Sequence, residues 1–293
     1  MRHLLLLLKL QNLLFQLTRA KQLSPVALHQ PASALGPKSD VVSGALALQE
    51  SKNRRIRQQF LVEGFQNVEA ALEANLVSSV FVTDWQHELA EIARRNNIKV
   101  QFVTDAALKA LADAVTPQGI VAVCEIPRTS LEDVVNEKSS PLVVCIGVGD
   151  PGNLGTIIRT AAAFNAGAVI TSAGSADAWS SKTIRSTAGA FASLPILSGL
   201  DEQLILNSLS KFKTLATTGA ATPTILDKQV VELLHQPHAW IFGNEAHGLG
   251  ETWLYNAAMQ VNIPVSNKVE SLNVASAAAV CLFASAFAAR FSS

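Results

Sequence analysis

Charge is scarce in this sequence and has no overall sign. Charged residues make up 16% of the 293 residues, and 23 Lys and Arg are matched by 23 Asp and Glu. A zero formal net charge excludes a globally basic surface of the kind that attracts nucleic acid non-specifically, so any such contact must come from local patches. The hydrophobic fraction of 49% argues for a folded chain with room for two modest domains.

Cysteine pairs and long apolar runs are missing as well. The three cysteines, Cys124, Cys145 and Cys281, lie far apart in apolar segments, without a CxxC pair or a histidine at ligand spacing. Reduced, buried thiols are therefore expected, and no metal site. The apolar stretch 274–289 is shorter than the ~20 residues that a membrane span needs, so no membrane segment is predicted.

Acidic residues are absent from the first 39 positions. All charges there are basic: Arg2, Lys9, Arg19, Lys21 and Lys38. A Leu-rich beginning without acids resembles an organelle transit peptide, but a basic arm or an untranslated leader would look the same. Residues 1–40 are therefore interpreted as a separate N-terminal segment, either a basic arm or a leader or transit segment. The expected location is the cytoplasm, or a mitochondrion or other organelle if this segment is a transit peptide.

Strand and helix patterns alternate from residue 41 onward, which is typical of an α/β protein. Residues 41–127 carry short β-rich runs such as FLVEG, each followed by a helical pattern. Residues 128–140 are polar and are interpreted as a linker around a short acidic helix. A second α/β unit, 141–293, opens with PLVVCIG, a continuous apolar run typical of a strand buried on both faces of a parallel sheet.

The segment after that strand, GVGDPGNLGTIIRTAAAF at 147–164, formally matches the GxGxxG pattern of dinucleotide-binding proteins. A nicotinamide-dependent oxidoreductase is therefore one hypothesis. Two features oppose it: Pro151 removes a backbone N–H from the phosphate turn, and the next strand ends in Thr and Ser where an acid for the ribose is expected. Asn153 is interpreted as the helix N-cap, and Arg159 is predicted to project away from the apolar stripe of the helix.

Two further loops carry polar residues at positions suited to chemistry. AWIFGNEAHGLG at 239–250 places Glu245 between turn-permitting glycines at the end of a buried strand, where parallel sheets bind ligands. IPVSNKVESLNVASAAA at 263–279 places Ser271 and Asn273 before a long helix, which either residue can cap. An ordinary turn or a structural cap would use the same residues, so neither segment is specific by itself.

Together, the three loops resemble the three signature motifs of the SpoU (TrmH) family of RNA ribose 2'-O-methyltransferases, in the SPOUT superfamily. The family patterns are N-x-G-x-x-x-R-T-A, F-G-N-E-x-x-G-L, and I-P followed by S-L-N-V. Matching residues occur in the same order within 150–164, 242–249 and 263–275. Upstream, FLVEG at 60–64 and TPQGIVAV at 116–123 resemble the RNA-binding domain of the family, so the resemblance extends from about residue 41 to the end.

The resemblance implies a fold, a cofactor and an assembly. It predicts a C-terminal parallel-sheet SPOUT domain with a deep trefoil knot, preceded by a small α/β RNA-binding domain. It also predicts a homodimer whose active site forms across the subunit interface, and S-adenosyl-L-methionine as the methyl donor. The residues expected to bind this cofactor are Thr217, Thr218, Gly219, Gly243, Asn244, Glu245, Ile263, Ser271 and Leu272.

The reaction implied by the resemblance is methylation of a ribose 2'-hydroxyl in structured RNA, with rRNA as the first candidate and tRNA as the second. The residues expected to take part are Arg159, Asn153, Glu245, Ser271 and Asn273. Arg159 is expected to clamp an RNA phosphate and polarise the hydroxyl, because a guanidinium is very hard to deprotonate. Glu245 is expected to pair with Arg159 before RNA binds.

RNA contact is also expected from four bases within six residues, namely Lys52, Arg54, Arg55 and Arg57. Such a run is usually a solvated helix face, but beside a ribose methyltransferase domain phosphate contact becomes the better interpretation. A third hypothesis is an RNA-binding protein that keeps this fold and has lost catalysis. The intact motif residues argue against it.

Overall fold

The computed structural model describes residues 33–137 and 141–290. Most of the basic segment predicted for residues 1–40 lies outside the described residues. The folded part already includes Leu35, whose backbone N–H donates to the third strand of the first sheet at 2.8 Å. Ser39 caps the first helix with its side chain. The folded domain therefore begins several residues before residue 41.

The first unit is a four-stranded sheet with helices on its faces. Its elements are helices α1 (Asp40–Leu46) and α2 (Ser51–Arg57), strand β1 (Gln59–Glu63), α3 (Phe65–Glu73), β2 (Val77–Val82), α4 (Glu88–Arg95), β3 (Lys99–Phe102), α5 (Asp105–Leu111) and β4 (Ile120–Glu125). The strand order is β1-β4-β2-β3, with β2 and β3 parallel and β4 antiparallel to both of its neighbours.

Side chains alternate across this sheet as a strand requires. On β4, Ile120 and Ala122 enter one hydrophobic cluster, whereas Val121 and Val123 enter another on the opposite face. A polar connection follows, in which helix α6 (Leu131–Asn136) begins with a capping box between Ser130 and Asp133.

The second unit is a six-stranded, wholly parallel sheet. Its elements are β5 (Leu142–Cys145), α7 (Pro151–Ala163), β6 (Ala168–Ser172), α8 (Ser181–Thr187), β7 (Ile196–Leu200), α9 (Glu202–Ser208), β8 (Lys213–Thr217), α10 (Lys228–Leu234), β9 (His238–Phe242), α11 (Glu251–Asn256), β10 (Met259–Val261) and α12 (Val274–Arg290). The strand order is β10-β8-β9-β5-β6-β7. This confirms the predicted α/β class with a parallel C-terminal sheet.

The strand order changes direction at β5. The chain builds outward from β5 to β6 and β7, then crosses to the other side and adds β8, β9 and β10. Strands β5 and β9, which are distant in sequence, therefore lie side by side. Loops that follow the two strands on either side of such a switch point frame a crevice, the usual ligand site of an open parallel sheet.

One predicted helix cap is wrong by three residues. Helix α7 begins at Pro151, and Asp150 rather than Asn153 caps it, because the Asp150 carboxylate accepts from the Asn153 N–H at 2.9 Å. The Asn153 side chain is therefore free to connect loops. Helix α12 begins at Val274, and of the two candidate caps Asn273 rather than Ser271 takes this role.

The two units share one hydrophobic core. Phe60 of the first sheet packs against Trp179 and Phe191 of the second unit, with ring centroids 4.8 Å and 5.7 Å apart. Across residues 33–137 and 141–290, no helix combines the length and apolar character that crossing a membrane would require.

Candidate active site

The loops after β5 and β9 meet at the switch point. The Asn244 side-chain amide donates to the Gly147 carbonyl oxygen at 2.7 Å, and the Gly147 N–H donates to the Ser172 hydroxyl at 3.1 Å. Three adjacent strand ends, those of β9, β5 and β6, are thereby tied together. Gly147 has a φ of +66°, a conformation that favours glycine.

The loop after β9 folds back tightly on itself. Asn244 and Gly248 exchange two backbone hydrogen bonds, of 3.1 Å and 2.9 Å. Gly243 lies against the same segment so closely that a Cβ there would be 2.3 Å from the Gly248 carbonyl carbon. A glycine is therefore required at position 243 by close approach, and the closed loop presents Glu245 towards α7.

Glu245 accepts three hydrogen bonds from the start of α7. The donors are the backbone N–H groups of Gly149 and Asp150, at 3.1 Å and 3.3 Å, and the Asn153 amide at 2.9 Å. Partial burial by itself would raise the pKa of Glu245, but these hydrogen bonds outweigh it and hold the pKa below its ordinary value. The carboxylate is therefore charged at neutral pH.

This arrangement bears on the oxidoreductase hypothesis. In a dinucleotide-binding turn the backbone N–H groups at the helix start bind pyrophosphate. Here carboxylates accept hydrogen bonds from those N–H groups. The Glu245 carboxylate accepts from the Gly149 and Asp150 N–H groups, and the Asp150 carboxylate accepts from the Asn153 N–H. A pyrophosphate in the same place would meet two negative charges, so the glycine pattern at 147–152 is not a nucleotide-phosphate site.

Asn153 connects the three predicted motif loops. Its amide nitrogen donates to Glu245 at 2.9 Å, and its oxygen accepts from the Asn273 amide at 2.9 Å. The Asn273 oxygen in turn accepts the Ala275 N–H at the start of α12. Three of the predicted catalytic residues, Asn153, Glu245 and Asn273, are therefore in one hydrogen-bonded chain.

A cavity of about 470 Å³ lies beside this chain, and helices α7 and α8 and the start of α12 form its walls. Residues on the walls include Asn153, Thr156, Thr160, Ser186 and Asn273. Sequence reasoning missed the two threonines and Ser186. The threonines follow Asn153 at i+3 and i+7, so a polar stripe on α7 was the signal that could have found them.

Arg159 is exposed on α7 and does not line this cavity. It lies six residues after Asn153, which turns it by about 120° around the helix from that residue. It forms no hydrogen bond or ion pair with the residues that the structure describes, so the predicted pair with Glu245 does not form within one chain. The carboxylate is satisfied by the α7 N-terminus instead.

Several of the predicted cofactor residues lie at or just after the carboxyl ends of three adjacent strands. Strands β10, β8 and β9 are neighbours and end at Val261, Thr217 and Phe242. Beyond those ends, the Thr218 N–H donates to the Val261 carbonyl oxygen at 3.0 Å. Gly243 follows β9 directly, and Ile263 is two residues after the end of β10. Ser271 and Leu272 are exposed in the segment between β10 and α12.

The basic run on α2 divides into two groups. Lys52, Arg55 and Arg57 are exposed, whereas Arg54 is 5% exposed. The Arg54 guanidinium donates to Asp177 in the second unit and to two backbone carbonyls of its own unit. Its donors are consumed by the protein, so the assignment of Arg54 to RNA contact is corrected: it anchors α2 to the second unit.

No cluster of His, Cys, Asp and Glu able to hold a metal ion occurs in the part of the chain that the structure describes. The cysteines are buried and unpaired. Burial, with a smaller contribution from Glu245, raises the pKa of Cys145 to about 12, so this thiol stays protonated.

Comparison with known proteins places both units among RNA-modifying proteins. Residues 140–283 match the SpoU rRNA Methylase family, and residues 61–130 match the family described as RNA 2'-O ribose methyltransferase substrate binding. The 23S rRNA (guanosine(2553)-2'-O)-methyltransferase RlmP of Bacillus subtilis is 31% identical, over 80% of this chain and 92% of its own length.

Two further relatives extend this comparison. The rRNA methyltransferase 3, mitochondrial, of Xenopus laevis is 33% identical, over 57% of this chain and 42% of its own length. The solved structure of the SpoU methyltransferase AviRb from Streptomyces viridochromogenes, in complex with AdoMet, has a TM-score of 0.78 at 25% identity. That match covers 87% of this chain and 99% of AviRb.

Proposed function

This chain belongs to the SpoU rRNA methylase family, and from that premise we propose that it transfers a methyl group from S-adenosyl-L-methionine to a ribose 2'-hydroxyl in structured RNA. The RNA is rRNA in the first instance, as in the name of the Bacillus relative, with tRNA as the second candidate. The observation that carries the proposal is the hydrogen-bonded chain Glu245–Asn153–Asn273, which joins the three motif loops beside a cavity.

The sheet edge at β8, β9 and β10 suits an adenosine ligand. No atom lies within 4 Å of the point where a side chain would begin at Gly219, which leaves open space there. Ile263 is half-buried, and Leu272 is 37% exposed although apolar, so both offer apolar surface to an adenine ring. The residues that would hold the cofactor are Thr217, Thr218, Gly219, Gly243, Asn244, Glu245, Ile263, Ser271 and Leu272.

Bound there, the sulfonium cofactor supplies an electrophilic methyl group. Arg159 binds the RNA phosphate beside the target and polarises the 2'-hydroxyl, because its planar fork suits a phosphate and it cannot act as a base. The exposed Ser271 hydroxyl orients the ribose. Glu245 positions Asn153 and the loops, since a carboxylate with a lowered pKa is a poor proton acceptor near neutral pH.

A homodimer would complete the site. Arg159 does not line the cavity of its own chain, so in this proposal the Arg159 of a second copy serves it. The exposed apolar side chains Val280, Phe283 and Phe287 on α12 supply the contact surface, with exposed fractions of 37%, 59% and 54%. The trefoil knot implied by the family resemblance involves the chain from β9 to α12 and remains part of this proposal.

RNA beyond the target nucleotide contacts the first unit. We assign residues 41–127, together with the described residues 33–40 before them, to a substrate-binding domain, 128–140 to the linker and 141–293 to the methyltransferase domain. Lys52, Arg55 and Arg57 are the phosphate contacts on α2, which Arg54 fixes to the second unit through Asp177. The proposed location is the cytoplasm, with a mitochondrion as the alternative, which the match to a relative named as mitochondrial supports.

Calorimetry and methyl transfer test this function. The protein should bind S-adenosylmethionine and show no heat with NAD, and it should transfer tritiated methyl groups to unmodified rRNA. Arg159→Ala should keep the wild-type melting temperature and cofactor affinity but lower transfer by orders of magnitude, because it removes an interaction made with the reacting RNA. Arg159→Lys should restore little.

Each rival hypothesis has its own outcome in these experiments. Measurable NAD binding would support the oxidoreductase. Tight RNA binding without any methyl transfer by the wild type would support a binding protein that has lost catalysis. Near wild-type turnover of Arg159→Ala would place the phosphate clamp elsewhere.

A further inference from the structure

Helix α8 contacts both the candidate active-site cavity and the first unit. Ser186 on α8 lines the cavity, and the adjacent Arg185 reaches across to the first unit. Its guanidinium lies 2.6 Å from a Glu63 carboxylate oxygen and 2.9 Å from an Asp113 carboxylate oxygen. Arg185 therefore connects the helix that lines the cavity to loop 113–119 of the first unit.

Glu63 contacts both Arg185 and the start of the loop. Its side chain is 9% exposed, and one of its oxygens binds Arg185. The other oxygen accepts the backbone N–H groups of Asp113 and Ala114, at 2.9 Å and 3.1 Å. A nearly buried carboxylate with both oxygens satisfied fixes its partners closely, so Arg185 and the start of the loop are held in one geometry.

The far end of the loop is fixed as well, and its middle is exposed. The Gln118 side-chain oxygen accepts the Phe65 N–H at 2.7 Å. Between the two anchors, Val115 is 93% exposed. A loop that is held at both ends and presents an apolar side chain to solvent is already arranged for contact with a ligand, without an ordering cost on binding.

Helix α8 also contacts the helix that carries Arg159. A Cβ at Gly155 of α7 would lie 2.5 Å from the Ser186 Cβ and 2.5 Å from the Thr183 carbonyl oxygen, so the two helices approach as closely as glycine permits. This close contact holds α8 in place against α7, so loss of the Arg185 side chain should release the loop of the first unit without moving Arg159.

From these contacts we propose that Arg185 is a positioning residue, which holds loop 113–119 against helix α8, a helix that lines the cavity, so that the loop contacts RNA flanking the target ribose. The proposal rests on the RNA methyltransferase function above and adds a specificity element to it. The clamp that Arg185 forms with Glu63 and Asp113 affects RNA binding and not the chemical step. Its loss should therefore raise KM for RNA and leave kcat at saturating RNA unchanged.

The test uses the full chain and an unmodified transcript of large-subunit rRNA. Arg185→Met should raise KM for this RNA at least about tenfold with kcat and S-adenosylmethionine affinity unchanged. Arg185→Lys keeps one charged contact and should recover part of the loss. Arg95→Met removes an exposed ion pair with Glu91 on α4 and serves as the control, with wild-type KM.

Hydrogen exchange provides a readout independent of catalysis. The Asp113 and Ala114 amides should exchange faster in Arg185→Met than in the control, because Glu63 loses the partner that orients it. If Arg185→Met fails to fold, Asp113→Asn removes one arm of the clamp with Glu63 still paired, and should raise KM by about twofold to threefold.

The outcomes separate the two proposals. A wild type that methylates the transcript, with unchanged KM in Arg185→Met and in Asp113→Asn, would overturn the clamp alone. A fall in kcat equal to the rise in KM, without recovery by Arg185→Lys, would also overturn it and mark Arg185 as structural. A wild type that methylates no RNA would overturn the proposed function and the clamp together.

Discussion

Gly243 offers the sharpest test of how the site is built. A methyl group at this position would lie 2.3 Å from the Gly248 carbonyl carbon, and 2.5 Å from both the Gly248 oxygen and the Leu249 nitrogen. All three are backbone atoms, and ordinary contact begins at 3.4 Å. The loop must therefore retreat by roughly 1 Å, which no side-chain rotation can absorb.

The energetic cost follows from that displacement. Overpacking of this kind costs about 1–3 kcal/mol, which corresponds to a fall in melting temperature of roughly 2–10 °C for a chain of this size. The two backbone hydrogen bonds between Asn244 and Gly248 close the loop and would be weakened. Glu245 lies between them, so its hydrogen bonds to α7 would lengthen.

Activity should respond more strongly than stability. A misplacement of about 1 Å at a reacting centre can lower a rate by about a hundredfold. Gly243→Ala should therefore weaken S-adenosylmethionine binding and lower methyl transfer by about two orders of magnitude.

Gly250→Ala is the matched control within the same loop. Nothing lies within 4 Å of a Cβ there, and its φ is −67°, which any residue adopts. It should cost at most about 1 kcal/mol, from the changed helix cap. Calorimetry, thermal unfolding and methyl transfer on both variants decide the matter. Equal melting temperatures and equal cofactor affinities in the two variants would refute the crowding argument.

The remaining predictions concern pH, assembly and the N-terminal segment. Burial lowers the pKa of His238, against an opposing hydrogen bond with Gln236, so the unfolded chain takes up a proton below about pH 6.5 that the folded protein resists. The melting temperature should therefore fall as the pH drops below that value, and fall less steeply in His238→Gln; equal slopes would contradict this. Phe283→Asp should convert a dimer into a monomer in light scattering at micromolar concentration, whereas Tyr255→Asp should not; a monomeric wild type would disprove the dimer. Deleting residues 1–32, which spares Leu35 and Ser39, should leave methyl transfer intact, and a large loss of RNA affinity would instead assign that segment to the binding surface.

Local sequence determined the elements and the motif residues. A continuous apolar run predicted the buried strand β5, and the alternation of strand and helix patterns predicted a parallel α/β unit. Whether a segment forms a strand or a helix depends largely on the hydrophobic pattern within one short window, so the sequence predicts it directly. The three sequence motifs identify Asn153, Glu245 and Asn273 as site candidates without reference to any tertiary contact.

Contacts between distant segments could not be read in the same way. Asn153 is 92 residues from Glu245 and 120 residues from Asn273, and the switch in strand order at β5 is what brings them together. The expected Glu245–Arg159 pair does not form within one chain for this reason. Six residues of helix separate Arg159 from Asn153, which turns the two side chains about 120° apart around the helix axis.

The basic run on α2 shows the same division. Its composition is visible in the sequence, and three of its four cations are exposed as a solvated face would be. Arg54 is the one that is buried, because it pairs with Asp177, which lies 123 residues away in the sequence. The sequence by itself therefore determined which residues are available for chemistry, because side-chain type and local period are properties of a short segment. Only the tertiary structure decided which of them meet, because burial and pairing depend on segments that the fold brings together.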